Sequence, residues 1–428
     1  MPDQERAILE ILKALFDDIE TRRRSTMVVA GSPGTGKTVV GISLIKTLRD
    51  IATARGVDEA EQGNAISDFF ARGYPEMLRG MRVGMVVPQQ SLRTSIAKVF
   101  DRAPGLDRTM VLTAYDVGRA EEPYDVLVVD EAHRLNHRAN QSSGSLNHAF
   151  RQINERLFGT DSLEFTQLDW IRARSSHNIL LLDAEQTVRP ADLPPEVVGE
   201  VVGEAKASHL FFPLKTQMRV KAGADYIGFI KAVLAGGSPA LPDLGEYDLR
   251  LIDDIGTLDA LIRQRDREYG LSRLTAGYAW SWKSDPKKKG MKRIPLAERP
   301  YDIEIDGYRW RWNSADKDWI TSPHALDEIG SIHTVQGYDL NYAGVIIGRD
   351  LRLDGATGEI RFDRTQYHDK KGIENNRRRG IVYTDHEIER YVKNIYAVLL
   401  TRGIRGTYVY VCDEALRDRL RALVVRSS

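Results

Sequence analysis

Apolar positions repeat with two different periods along this chain. At the start Ile8, Leu9, Ile11, Leu12, Leu15 and Phe16 recur at helical spacing behind the charged opening Met1-Pro2-Asp3-Gln4-Glu5-Arg6. That pattern predicts a helix with one buried face and not a secretory leader. Short β-branched and aliphatic runs follow at 26–30, 82–87, 126–129, 179–182 and 210–212, and a second set at 249–252, 274–279, 344–347 and 407–411. Helical patterns lie between them. Strands alternating with helices predict an α/β fold with parallel sheets, and two sets of strands predict two domains. The change of set near Phe212-Pro213 divides the chain into 1–212 and 213–428. Three long inserts, 51–80, 134–176 and 284–329, interrupt the alternation.

Composition narrows the picture without naming a chemistry. A chain of 428 residues exceeds one ordinary core, which agrees with two domains. Its 61 basic and 61 acidic side chains cancel, so any nucleic-acid surface must be a local patch. One cysteine, Cys412, excludes an internal disulfide framework and a thiolate zinc site, and suits a reducing, cytoplasmic setting. No apolar stretch approaches the roughly 20 residues that span a bilayer, so no membrane partner is expected.

Candidate chemistry begins at the end of the first predicted strand. Gly31-Ser32-Pro33-Gly34-Thr35-Gly36-Lys37-Thr38 fits the phosphate-binding pattern G-x-x-x-x-G-K-[ST], with a strand before it and a helical pattern from Val39 to Arg49 after it. Backbone N–H groups of Gly31, Gly34, Thr35 and Gly36 would face a triphosphate at a helix N-terminus. Lys37 would neutralise phosphate charge, and the Thr38 hydroxyl would ligate Mg²⁺. The run Val126-Leu127-Val128-Val129 ends in Asp130-Glu131-Ala132-His133, which places Asp130 as a second Mg²⁺ ligand and Glu131 as the base for an attacking water. ATP and Mg²⁺ are therefore the expected cofactors. Leu181-Leu182-Asp183-Ala184-Glu185-Gln186 repeats the strand-then-polar design, so Gln186 is placed to reach the γ-phosphate or its water. In the second half, Arg219 and Arg402 are candidates for stabilising transition-state charge across a two-domain cleft. The loop Ser331-Ile332-His333-Thr334-Val335-Gln336-Gly337-Tyr338-Asp339 carries small hydrogen-bonding residues suited to both a phosphodiester backbone and a nucleotide. His333 has no Cys or His neighbour to make a metal site.

In order, these motifs are a phosphate loop, Asp-Glu-Ala-His, Asp-x-x-Gln, Gln-x-Arg, His-Thr-x-x-Gly-x-Asp and Leu-Thr-Arg, a series that resembles superfamily-1 helicases. The segments Ala276-Gly277-Tyr278-Ala279-Trp280-Ser281-Trp282, 332–348 and 399–410 resemble, more narrowly, the Schlafen-group-3-like DNA/RNA helicase domain family. The resemblance implies a P-loop NTPase of two RecA-like domains. It also implies Gln186 as the glutamine that couples nucleotide to nucleic acid, and Arg219 and Arg402 as arginine fingers. Asp339 stands where a glutamate usually lies near the ribose, and Gln4 corresponds to an adenine-contacting glutamine. Two positions depart from the helicase pattern: Leu182 replaces the usual glycine before Asp183, and His133 stands where many of these enzymes have Gln.

Nucleic acid would need its own surface. Trp280, Trp282, Trp310, Trp312 and Trp319 fall close together with Lys287-Lys288-Lys289 and Lys292-Arg293 between them. Such a mixture suits single-strand binding, with indoles stacking on bases and cations following phosphates. The same tryptophans at strand spacing also suit the local core of a small β-insert. Ser91 and Arg93 follow a strand in the first half, where helicases grip the backbone, and His333 and Thr334 are further candidates. The expected activity is an ATP-dependent helicase or translocase on single-stranded DNA or RNA. The resemblance adds a nuclease or other defence effector as a protein partner. The alternative is an ATP-dependent regulatory switch that does not translocate.

Overall fold

The computed structural model describes residues 2–54, 66–70, 73–138, 141, 144–183, 187–217, 220, 223–314, 319–335, 338–376 and 380–425. The chain divides into two compact units: Met1–Thr216 with Asn376–Ile381, and Gln217–Asn375 with Val382–Ser428.

Among the described residues of the first unit, strands β1 (Ser25–Gly31), β2 (Val83–Val86), β3 (Val111–Leu112), β4 (Tyr124–Val129), β5 (Ser175–Leu182) and β6 (Phe211–Leu214) form one parallel sheet. Its order is β3-β2-β4-β5-β1-β6. A parallel sheet is covered on both faces, which explains why these strands read as unbroken apolar runs and not as alternating ones. Successive side chains still point to opposite sides. Met27, Val29, Val126, Val128, Ile179 and Leu181 enter one core, where the helices Pro2–Glu20 and Lys37–Thr53 bring Ile11, Leu12, Leu15, Leu44 and Leu48. Val28, Leu127, Val129, Leu180 and Leu182 enter the other, with Phe150 and Trp170 from the helices Gly144–Phe158 and Gln167–Arg174. Gly41 lets the helix Lys37–Thr53 lie close on the sheet, since a Cβ there would come within 2.8 Å of the Leu181 side chain.

In the second unit the described strands β7 (Asp248–Leu251), β8 (Ser272–Ala276), β12 (Leu340–Ile347) and β15 (Gly403–Val411) form a parallel sheet of order β7-β15-β12-β8. The helix Ile255–Tyr269 approaches it over Gly344, where a Cβ would meet Ile262 at 2.7 Å. A hairpin, β13 (Leu351–Leu353) and β14 (Ile360–Phe362), follows β12. Helix Asp385–Leu400 starts at a capping box in which Thr384 and Glu387 satisfy each other's backbone N–H groups.

Between β8 and β12 the insert folds as β9 (Ile303–Ile305), β10 (Tyr308–Trp312) and β11 (Glu328–Ile329). Gly330 then bridges in parallel to Thr275 of β8, so the insert continues the edge of the main sheet. Strand β8 stops at Ala276, short of the expected 279, and the next residue, Gly277, leaves no room for a Cβ beside Tyr396. Of the two readings of the five tryptophans, stacking surface or local core, three take the second. Trp310, Trp312 and Trp319 are buried, 2–4 % exposed. Trp312 packs edge-on to Tyr278 at 5.0 Å, and Trp319 Nε1 donates to Glu328 Oε2 at 2.8 Å. Alternation along β10 sends both of its indoles to the same inner face. Trp280 and Trp282 are only half-buried, and Lys287, Lys288 and Lys289 are exposed.

Candidate nucleotide site

Strands β4, β5 and β1 are neighbours in the first sheet, so their carboxyl ends bring three loops together. In open α/β sheets this edge is where ligands collect. The loop after β1 turns through Gly34 (φ 83°) and Gly36 (φ 84°), left-handed conformations that glycine adopts without a Cβ penalty. Gly36 is the N-cap of the helix Lys37–Thr53. Thr35 Oγ1 donates to Ser32 O at 2.9 Å, closing the loop on itself. Lys37 Nζ donates to Gly31 O at 2.6 Å and Ser32 O at 3.1 Å, and lies 3.9 Å from Asp183 Oδ2 at the end of β5.

Thr38 Oγ1 donates to Asp130 Oδ2 at 2.8 Å, although 92 residues separate them. This all-oxygen pair fits a hard divalent cation such as Mg²⁺, which takes one or two carboxylates and fills its remaining positions from phosphates and water. Among the described residues no cluster of three or more His, Cys, Asp or Glu side chains gathers into a separate metal cage. Burial, then the neighbouring Glu131 charge, push the Asp130 carboxyl above the ordinary aspartate range.

Glu131 itself sits at φ 47°, in the left-handed region that a side-chain-bearing residue enters at a cost of about 1–3 kcal/mol. A 3₁₀ turn, Ala132–Arg134, holds it there, with Arg134 N donating to Glu131 O at 2.8 Å. Burial works to raise the Glu131 carboxyl. The close approach of His133, then the Lys37 and Arg134 charges, outweigh it and keep the group below the usual glutamate range. A carboxyl held in this direction suits the acceptance of a proton.

The remaining candidates fall in three groups. Gln4 is buried, and its Nε2 donates to Thr35 O at 2.9 Å, so its amide braces the phosphate loop. Ser91 is buried and accepts from Gln89 Nε2 at 3.1 Å. Arg93 Nη1 donates to Val87 O at 2.8 Å, which folds the guanidinium back on its own strand end. These belong to the first unit. In the second, Arg402 is 2 % exposed and its Nη1 donates to Tyr338 O at 3.4 Å, while Asp339 is exposed. Thr334 Oγ1 accepts from Ser331 N at 2.9 Å and donates to Ser331 O at 2.9 Å, closing the turn that carries His333. His333 lies 6.0 Å from the Tyr278 ring. Gln186, Arg219 and Gly337 lie outside the described residues.

Two residues at the site carried no assigned role in the sequence reading: Asp183, and His133, which is fully buried. Asp183 belongs to the polar end of an apolar strand, the signal that drew attention to Gln186. For His133 the only signal was its departure from glutamine.

Comparison with known proteins bears on this arrangement as a whole. An uncharacterised protein of Saccharomyces cerevisiae is 26% identical over 419 residues, covering 92% of this chain and 83% of that protein. Solved structures that match along their length include the Pif1 helicase of Candida albicans (TM-score 0.33, 14% identity, 97% of this chain and 98% of that one). Bacteroides Pif1 bound to ssDNA gives a TM-score of 0.31 at 9% identity, over 96% of this chain and 97% of the other. A Pif1 helicase from a study of unwinding at forked dsDNA gives 0.34 at 10% identity, over 97% of each chain. The family described as Schlafen group 3, DNA/RNA helicase domain, matches residues 24–413, nearly the whole length. The chain belongs to the Schlafen group 3 DNA/RNA helicase domain family.

Proposed function

We propose that this chain is an ATP-dependent motor of the superfamily-1 type, a helicase or translocase acting on single-stranded DNA or RNA. The observation that carries the reading is the convergence of Lys37, Thr38, Asp130 and Glu131 at the carboxyl ends of β1 and β4, the strands on either side of β5, with Thr38 and Asp130 in direct contact. The phosphate loop and Lys37 bind the triphosphate; Thr38 and Asp130 hold Mg²⁺, which when bound offsets charge on the phosphates. Glu131 accepts the proton of the attacking water. Gln186, Arg219 and Arg402 are proposed to sense the γ-phosphate and stabilise developing charge, with Asp339, Gly337 and Gln4 near the nucleoside. Family membership supports nucleic acid as the second ligand. Ser91, Arg93, His333, Thr334, Trp280 and Trp282 are the proposed contacts. The lone Cys412 supports a cytoplasmic setting. A nuclease or defence effector as partner rests on the family resemblance alone.

The deciding experiment is the ATPase rate with and without single-stranded DNA and RNA. Stimulation by either supports a motor. Slow turnover indifferent to both favours a regulatory switch, and absence of turnover in all conditions defeats the proposal.

A further inference from the structure

Six groups at the strand ends form a closed ring of contacts. Lys37 faces Asp183 at 3.9 Å. The Asp183 backbone N–H donates to His133 Nδ1 at 3.3 Å. His133 Nε2 lies 3.1 Å from Glu131 Oε2. Glu131 N donates to Asp130 Oδ1 at 3.0 Å, and Asp130 Oδ2 accepts from Thr38, the neighbour of Lys37 in sequence. His133 is the one member that links β4 to β5 through a side chain, and it has no solvent exposure. Its main chain is fixed as well, since Leu193 N donates to His133 O at 3.3 Å.

The direction of these bonds sets the chemistry. A backbone N–H can only donate, so Nδ1 must accept, and the proton of a neutral ring then sits on Nε2, facing the Glu131 carboxylate. An imidazole in this state splints a carboxylate in one orientation without taking its proton. Glu131 needs such a splint because its backbone occupies the left-handed region, where the side chain has no support from a regular helix or strand.

We propose that His133 is a positioning residue for Glu131. Its Nε2 meets the hydrolytic carboxylate at 3.1 Å and aims it, and its Nδ1 ties that aim to the backbone of Asp183, the residue that follows β5. The inference rests on Glu131 being the base assigned above. It also gives a physical meaning to the departure from glutamine at this position: an amide donates from one atom and accepts at another, so glutamine can reproduce both polar contacts of the ring.

The test uses the full chain with two substitutions. His133→Phe keeps the buried volume and removes both polar contacts, and His133→Gln keeps a donor and an acceptor. Melting curves establish that each is folded. His133→Phe is expected to lower kcat for ATP by about 10–100-fold, with KM and affinity for a non-hydrolysable ATP analogue held within roughly twofold, while His133→Gln recovers most of the rate. Wild-type kcat in His133→Phe overturns the proposal, and so does equal loss in both variants, which would mark a packing role. NMR of the ring nitrogens supplies a readout independent of turnover. A proton on Nε2 in the wild-type chain is expected, and a proton on Nδ1 overturns the inference. A wild-type chain that hydrolyses no ATP defeats the proposed function itself, and the tautomer then still decides whether the imidazole splints Glu131.

Discussion

At the scale of single residues, the site separates binding from turnover. Lys37 hydrogen-bonds the phosphate loop carbonyls and reaches the proposed base, Glu131, only through its charge. Lys37→Ala should therefore lose nucleotide affinity itself. Glu131→Gln should keep affinity, because Thr38 and Asp130 are untouched, and lose turnover by about 10²–10⁴-fold. Equilibrium binding of a labelled nucleotide beside steady-state hydrolysis distinguishes the two, and wild-type turnover in Glu131→Gln would remove it as the base. A second buried carboxyl, Asp350 in the second unit, tests the energetics of burial. Tyr396 Oη donates to its Oδ1 at 2.6 Å, yet burial pushes it up to about 7. Between the ordinary value of 3.8 and about 7 the folded state holds this proton and the unfolded state does not. That contribution to stability is full below pH 4 and is lost as pH rises towards 7. Asp350→Asn should remove the slope and leave the variant about 1–4 kcal/mol more stable than wild type at pH 8, read from urea midpoints across pH. An unchanged slope in the variant would place the titration elsewhere.

At the scale of elements, both units use the same device to seat a helix on a sheet: a glycine with no room for a side chain. Gly41 faces Leu181 and Val128, and Gly344 faces Ile262 and Leu274. Gly41→Val or Gly344→Val should each destabilise by about 1–3 kcal/mol through overpacking, measured by chemical denaturation. The insert gives a sharper contrast. Trp312→Ala should cost about 3–5 kcal/mol of stability, since it empties a core position. Neutralising Lys287, Lys288 and Lys289 together should leave stability unchanged and flatten the salt dependence of single-strand binding, as fewer counterions are released. A salt slope identical to wild type would remove this loop from the nucleic-acid path. The strands of both parallel sheets were legible because burial on two faces makes continuous apolar runs. Strand β3, two residues long, leaves no such run. The fate of the tryptophans was not legible because an indole serves a core and a stacking surface equally well, and only the strand to which it belongs decides. Phosphate loop and Asp130 were legible since their chemistry is contiguous in sequence, whereas the His133–Asp183 bond joins residues 50 apart.

At the scale of the whole molecule, each unit has its own sheet, and only the first carries the phosphate loop. A Mg²⁺-bound, non-hydrolysable nucleotide at 100 times its Kd should stabilise that unit by about 2.7 kcal/mol. Calorimetry of wild type and Lys37→Ala checks this, and an equal shift in both proteins would mean that the nucleotide binds away from the loop.

The first unit is also discontinuous in sequence. Asn376–Ile381 belongs to it, Asn376 is buried, and its Nδ2 donates to Arg138 O at 3.5 Å, although everything between Gln217 and Asn375 belongs to the second unit. During synthesis the chain grows at about 5–20 residues per second. The nucleotide-binding half therefore emerges from the ribosome well before its last piece has been made, and it waits for roughly ten seconds or more while the other half is translated. The final six-residue segment arrives only after most of the second unit has been made, so the unit begun first is not the first to have all its residues to hand.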